Sequence, residues 1–347
     1  MRTSTSDFLS RASYGFGDSV RDRAVLPGVH SVSNCLLPVW FSSSLGRSSV
    51  LLLAVAGLVV GCGETQRESD ASAEAHVVPE QYVQSNVEAA RARLTGSEGG
   101  TRVLRAIEAH GGLAAWYRAP TSSYTWEYAN KDLDLRFKSF LVVDNDTRRA
   151  YHDLLTLGAY DAAGPVDGRF AWDGERAWIA PDSLQQPNPR FWALTGFYFQ
   201  QIPFVLADPG LNYRVLPDDT IDGTPHDMVE ITFERDVGDA PGDTYILYLD
   251  QDSGRVDAIR YTVSYGKDVP PGADLPQTFF DYEDYVTVHG LTVPTRFTGY
   301  AYSAKTGIGD RPRNEAIADS ISYRRPFDAS HLDAPENARF VPLPDAK

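Results

Sequence analysis

From Ser122 onward, apolar and polar residues alternate with a period of two, in short blocks at 122–129, 133–143, 148–154, 168–173 and 175–180. Successive side chains of a strand point to opposite faces. This period, together with the Tyr, Trp, Phe and Val content of most blocks, therefore predicts β-strands. Further blocks follow at 211–216, 226–235, 243–250, 255–265, 276–289, 291–302 and 315–323, making about a dozen strands. The alternation is cleanest where Ile259, Tyr261, Val263 and Tyr265 oppose Ala258, Arg260, Thr262 and Ser264, which predicts one apolar face and one wetter face. Thr244 to Leu249 differs: Tyr245, Leu247 and Leu249 share one face while Ile246 and Tyr248 share the other, so this strand is expected to be covered on both sides.

Two segments follow the helical period instead. In Glu80 to Tyr117, Val83, Val87, Ala90 and Leu94 are spaced by three or four, and Val103, Ile107 and Ala109 continue the pattern. His110-Gly111-Gly112 is expected to stop the helix through a left-handed cap, with Leu113 to Tyr117 adding one more turn. Pro187 to Leu206 crowds Phe191, Trp192, Leu194, Phe197, Tyr198, Phe199 and Phe204 around Gly196 and Pro203, and reads as a helix interrupted at Pro203. Its aromatic residues suit either a core or the mouth of a cavity.

Asp173-Gly174 is a two-residue hairpin signal, and Asp252-Ser253-Gly254 and His289-Gly290 join later neighbours. With no βαβ unit in this order, the expected fold is mainly β (α+β), a curved antiparallel sheet or open barrel wrapped around helices.

Ahead of the periodic region lies the apolar run Leu51 to Val60. About ten residues are too few to span a bilayer, which takes roughly 20. The run reads as the apolar region of an export signal, with Arg47 as its positive flank. It ends in Val59-Val60-Gly61-Cys62, which resembles the lipobox read by the bacterial lipoprotein signal peptidase, so Cys62 is expected to be the lipidated, palmitate-bearing first residue of the mature chain. The polar stretch Glu64 to Glu74 has no aromatic or branched aliphatic residue and cannot bury enough surface to fold. The expected layout is a signal peptide at 45–61, a lipidated tether at 62–79 and a single domain at 80–340. Export signals lie close to a chain start, and no Met falls between Met1 and Met228, so internal initiation at a codon such as Val39 or Leu45 is expected, with 1–44 an untranslated extension.

Removing the leader also removes Cys35, and acylation would consume Cys62, so the folded part holds no disulfide although its compartment would permit one. The net charge of −15 becomes more negative still without the leader's five Arg and three Asp. Such a surface disfavours nucleic acid and anionic head groups on its exterior, but not a lipid inside an apolar cavity.

Catalytic signatures are missing. The chain after Cys62 contains neither Gly-x-Ser-x-Gly nor a thiol, and its histidines, His76, His110, His152, His226, His289 and His331, are scattered without a His-Glu-x-x-His pair, so neither metal nor cofactor is expected. His110 reads as a helix-terminal histidine favoured by the macrodipole. Asp250 to Gly254 has its glycine one position early for a calcium loop and reads as a hairpin turn. Asp281, Glu283 and Asp284 could work as acid and base only if they converged, and alternation sets Glu283 opposite its neighbours.

Taken in order, Ala106-Ile107-Glu108-Ala109-His110-Gly111-Gly112 with Trp116, Phe191 to Phe204 with Leu206-Ala207-Asp208-Pro209-Gly210, Tyr248-Leu249-Asp250 to Gly254, Tyr282 to Pro294, and Ile321 to Phe327 with Asp328 resemble the LolA-like periplasmic carriers and outer-membrane lipoprotein-sorting proteins, in a bacterial lipoprotein branch. The resemblance implies a half-barrel of about eleven strands whose concave face, partly closed by helices, shelters acyl chains. A member tethered at Cys62 implies a receptor, acceptor or local chaperone rather than a shuttle. Gly63 in place of Asp favours the outer membrane, facing the periplasm.

The expectation is thus a non-enzymatic, membrane-tethered binder of a lipid or of lipoprotein acyl chains, taking part in envelope lipid or lipoprotein transport. Candidate cavity residues, chosen by alternation and aromatic density, are Trp126, Trp172, Trp178, Phe191, Trp192, Phe197, Tyr198, Phe199 and Phe204. The competing reading is a ligand-free interaction protein of the envelope that docks a partner by its sheet edge or acidic face. A third reading, a hydrolase of lipid or glycan, requires converging buried carboxylates.

Overall fold

A computed structural model describes residues 77–235, 237–267 and 275–343. The export signal at 45–61, Cys62, the upstream extension and almost all of the tether lie outside the described residues.

The N-terminal helical region divides into α1 (Glu80–Leu94), α2 (Glu98–Ala109) and α3 (Leu113–Tyr117). Glu80 in the first turn of α1 and Arg91 and Arg93 in its last turn complement the helix dipole. Ser97 starts α2 by accepting a hydrogen bond from the Gly100 amide. Gly111 and Gly112 take φ of 122° and 89°, so the chain turns as anticipated. They are needed for a second reason: a Cβ on Gly111 would lie 2.0 Å from the Gly290 carbonyl oxygen. His110 departs from its expected role. Its ring is fully buried, Nδ1–H donates to the Thr292 carbonyl (2.7 Å) and Nε2 accepts from the Val256 amide (3.2 Å). Burial holds its pKa down to about 4, so it is a neutral crosslink rather than a dipole-stabilised cation.

The strands are β1 (Thr121–Asn130), β2 (Leu135–Asp144), β3 (Ala150–Gly158), β4 (Gly164–Trp172) and β5 (Ala177–Ala180), then α4 (Pro189–Gln200), then β6 (Leu211–Ile221), β7 (Thr224–Phe233), β8 (Thr244–Asp250), β9 (Val256–Tyr261), β10 (Gln277–Glu283), β11 (Val286–Val288), β12 (Leu291–Val293), β13 (Arg296–Ser303), β14 (Gly307–Ser322) and β15 (Arg339–Val341). Thirteen form one antiparallel sheet in the order β15-β5-β4-β3-β2-β1-β14-β13-β10-β9-β8-β7-β6, and β11 pairs with β12 alone. The sheet does not close, because β15 and β6 are free edges, which makes it an open half-barrel with more strands than the anticipated eleven. Asp284, at φ 54°, divides the expected strand 276–289, and Pro294 divides 291–302. β15 is too short for periodicity to reveal. The hairpin expected at Asp173-Gly174 forms one residue later: the Asp173 amide donates to the Arg176 carbonyl (3.1 Å) around the two-residue loop Gly174-Glu175, and the Asp173 carboxylate accepts from the amides of Glu175 and Arg176.

Two meanders, β1–β5 and β6–β14, meet where β1 pairs with β14, with Trp126 opposite Ala318. The principal core lies on the concave face, under α2, α3 and α4. Two smaller apolar clusters cover the other face. β8 is buried on both sides as expected, Leu247 and Leu249 in the principal core and Ile246 and Tyr248 in a convex cluster.

Candidate functional site

The helices fill the concave face only in part. α2 packs on β6 and β7, and α4 packs on β3, β4 and β5, at the other end of the sheet. Between α4, α3 and the exposed side of α1 remains a cavity of about 1040 Å³, slightly above the roughly 300–1,000 Å³ usual for small-molecule sites.

One wall is α4. Asn188 caps it by accepting from the amides of Arg190 and Phe191, and Pro189 presets its first turn. His152 Nε2–H donates to the Ala193 carbonyl (3.1 Å), and the Tyr282 hydroxyl donates to the Phe199 carbonyl (2.9 Å), so polar bonds fix the helix rotation from both sides. Trp192, Ala193, Gly196 and Phe197 are thereby turned into the core. Phe191, Leu194, Thr195 and Tyr198, spaced by three, one and three, form a stripe that faces the cavity.

The opposite wall comprises Leu211, Phe233, Tyr245, Tyr261 and Val263, and Trp116 and Tyr117 of α3 close one end. Burial raises the pKa of Tyr198, Tyr245 and Tyr261, so all three present neutral hydroxyls. Asp243 also lines the space. Burial lifts its carboxyl to about 6, against hydrogen bonds from Ser264 that work the other way.

Arginines crowd the boundary in a protein whose net charge is strongly negative. Arg148 pairs with Asp208 and lies over the Phe197 ring; Arg149 pairs with Asp144; Arg190 pairs with Asp239 and stacks on Trp172, 3.8 Å from the ring centroid. Arg93, Arg324 and Arg325 are exposed, line the same cavity and, among the described residues, form no salt bridge.

Of the nine aromatic candidates, Phe191, Tyr198 and Phe199 line the cavity. Trp126, Trp172, Trp192, Phe197 and Phe204 are instead part of the principal core behind it. Trp178 is on the other face of the sheet, where its indole N–H donates to the Leu332 carbonyl (2.9 Å). Cys62 lies outside the described residues. Sequence reasoning missed Tyr245 and Tyr261, although both belong to the apolar faces it identified, and missed the arginine rim, which has no local signature.

The carboxylates considered for acid–base work do not gather in this cavity. Asp281 and Glu283 share a strand face, where burial and the neighbouring Glu283 charge lift Asp281 to about 6, while Asp284 pairs with Arg296.

No protein-family profile and no curated protein matches the chain. Among solved structures, it is similar to a LolA superfamily protein from Nitrosomonas europaea (12% identity, TM-score 0.43, covering 68% of this chain and 97% of that one). It is also similar to a DUF1329 family protein from Desulfovibrio piger (9%, 0.43, 73% and 97%) and to an outer-membrane lipoprotein-sorting protein domain from Vibrio parahaemolyticus (11%, 0.33, 72% and 97%). At these scores the function has to be argued from the cavity itself.

Proposed function

We propose that this protein is a non-enzymatic lipoprotein of the bacterial envelope that holds a lipid, or the acyl chains of another lipoprotein, in the cavity beside α4. The observation that carries the reading is the stripe Phe191, Leu194, Thr195 and Tyr198, one side of α4 that together with Phe199 faces a largely apolar space while Trp192, Ala193, Gly196 and Phe197 are packed in the core. Transfer of each methylene out of water into such a space contributes about 0.8 kcal/mol. A palmitoyl chain therefore gains roughly 10 kcal/mol before the costs of association. Arg93, Arg324 and Arg325 supply donors for a carboxylate or phosphate at the water-exposed end of the ligand.

Tethering through an acylated Cys62 would keep this holder at a membrane, and Gly63 favours the inner leaflet of the outer membrane. Transport or sorting of lipids or lipoproteins within the envelope is the role that suits such an anchored cavity. Docking through a sheet edge, one of the two routes open to the ligand-free assembly reading beside its acidic face, requires an edge able to take a partner strand. β15 has three residues, and β6 carries Pro217, Asp218 and Asp219 with a register shift after Leu216, features that discourage edge pairing.

The test is native mass spectrometry, with lipid extraction, on protein purified from membranes of its host. A bound acyl species near one-to-one supports the proposal. An apo mass, with no uptake of added fluorescent fatty acid, overturns it in favour of the assembly protein.

A further inference from the structure

We infer that His226, Asp250 and Asp257 form a divalent transition-metal site on strands β7, β8 and β9, independent of the cavity. Each offers one ligand atom, and these atoms all lie within 4.8 Å of one another.

Three features of the chain bring them together. His226 and Asp250 are cross-strand partners in the β7–β8 register, so their side chains rise side by side from one face. Asp257 is the extra residue of a bulge: Tyr248 pairs with Ala258 and Leu249 with Val256, which leaves Asp257 without a partner and free to turn towards His226. The face they share is the convex one, where Tyr248 sits edge-on to the His226 ring.

The His226 ring poses the electrostatic question. It is 1% exposed, and both its nitrogens face oxygen acceptors: Nδ1 lies 2.9 Å from the Thr224 carbonyl, and Nε2 lies 3.1 Å from Asp257 Oδ2. A neutral imidazole has a single N–H. With that proton donated to Thr224, Nε2 aims a lone pair at a carboxylate, and only a cation between them makes the contact favourable. An Nδ1–H held by a backbone carbonyl is also the arrangement that orients metal-binding histidines.

A proton on Nε2 would satisfy His226 and Asp257 but not the third member. Asp250 spends one oxygen on the amide and hydroxyl of Ser253, each at 2.6 Å, and its other oxygen is available. Among the described residues, no Arg or Lys pairs with Asp250 or Asp257, and the nearby Arg255 is stacked on Tyr285. Two carboxylates thus converge on one imidazole without an ion-paired Arg or Lys, and Asp219 is registered opposite His226 on β6. One imidazole with two carboxylates suits zinc better than calcium, and three protein donors leave an open position for water. Such a site would bind neighbouring strands together at the β6–β9 end of the half-barrel, where among the described residues no helix covers the convex face.

The test is calorimetric titration of zinc into the full chain stripped with a chelator, near neutral pH, for wild type, His226→Gln, Asp257→Asn and, as a control, Asp310→Asn. Saturable binding of one zinc per chain, raised thermal stability on zinc addition, and loss of affinity on the order of 10- to 100-fold or more in the first two variants alone support the site. Asp257 is partly exposed, so its variant should keep the fold, which circular dichroism checks. The absence of saturable binding, or binding equal in Asp257→Asn and wild type, overturns the proposal.

Discussion

Arg148 holds Asp208 across 60 residues of sequence, its Nη2 lying 2.9 Å and 2.7 Å from the two carboxylate oxygens, so that the β2–β3 turn is bound to the segment that follows α4. Both side chains are largely buried at the cavity boundary, and the guanidinium also covers Phe197. Removing one partner of such a pair leaves the other charge uncompensated. Arg148→Met should therefore lower unfolding free energy by about 3 kcal/mol, and Arg148→Met/Asp208→Leu should recover most of the loss. Urea denaturation of the three proteins measures both effects, and a double variant as weak as the single one would refute the account.

Gly111 and Gly174 both adopt positive φ, 122° and 103°, but in different surroundings. A Cβ on Gly111 collides with the Gly290 carbonyl, whereas on Gly174 its nearest neighbour is an Arg149 side-chain carbon at 3.7 Å. Gly174→Ala should cost about 1 kcal/mol from backbone strain alone. Gly111→Ala should cost roughly 3 kcal/mol or more, because the α2–α3 turn and the β11–β12 hairpin must also separate. The two melting temperatures give the comparison directly.

If the cavity binds acyl chains, enlarging its helical wall should close it. Leu194→Trp should reduce uptake of a fluorescent fatty acid by about tenfold, equivalent to roughly 1.4 kcal/mol. Trp178→Phe, on the other face of the sheet, should reduce stability without altering uptake. Equal losses in both variants would mean that uptake follows global stability rather than cavity shape.

His110 and His152 should remain neutral well below their ordinary range. Burial lowers both to about 4 from 6.5. Since the unfolded chain binds these protons more readily, the stability associated with each histidine is complete above about pH 6.5 and is lost as pH falls towards 4, by about 3 kcal/mol per group. Asp243 runs in the opposite sense. Its folded value of about 6 exceeds the ordinary 3.8, so the folded state gains stability as pH falls through 6. Long-range ¹H–¹⁵N spectra should find His110 protonated on Nδ1 and His152 on Nε2 at pH 6, the second because Ser139 donates to its Nδ1. Imidazolium signals from either residue at that pH would contradict the assignment.

Much of the fold was legible in residue order. Strand blocks such as 211–216 and 243–250 fall on β6 and β8, the double-sided burial of Ile246 to Leu249 was visible in their parity, and Gly111-Gly112 marked the end of α2. Those features depend on neighbours within a few residues, whose spacing is printed in the chain.

The cavity was less legible, and the reason is physical. α4 is apolar almost all round, so its pattern does not reveal which stripe meets other atoms and which meets a gap. The polar bonds from His152 and Tyr282, residues 41 and 83 positions away, set its rotation. Strand parity separates Trp178 from Ile179, but the bending of the sheet decides which parity is concave. Similarly, His226, Asp250 and Asp257 look scattered in sequence until register pairs the first two and a bulge turns the third.

By itself, the sequence determined a mainly antiparallel β class wrapped around helices and the end of α2 at Gly111-Gly112, because each follows from local period or backbone permissiveness, but not the break between α1 and α2. Tertiary structure alone decided that the concave face is filled in part and left open beside α4. That outcome depends on how α1, α3 and α4, distant in sequence, meet around one stretch of the sheet, and no local pattern encodes the space they leave.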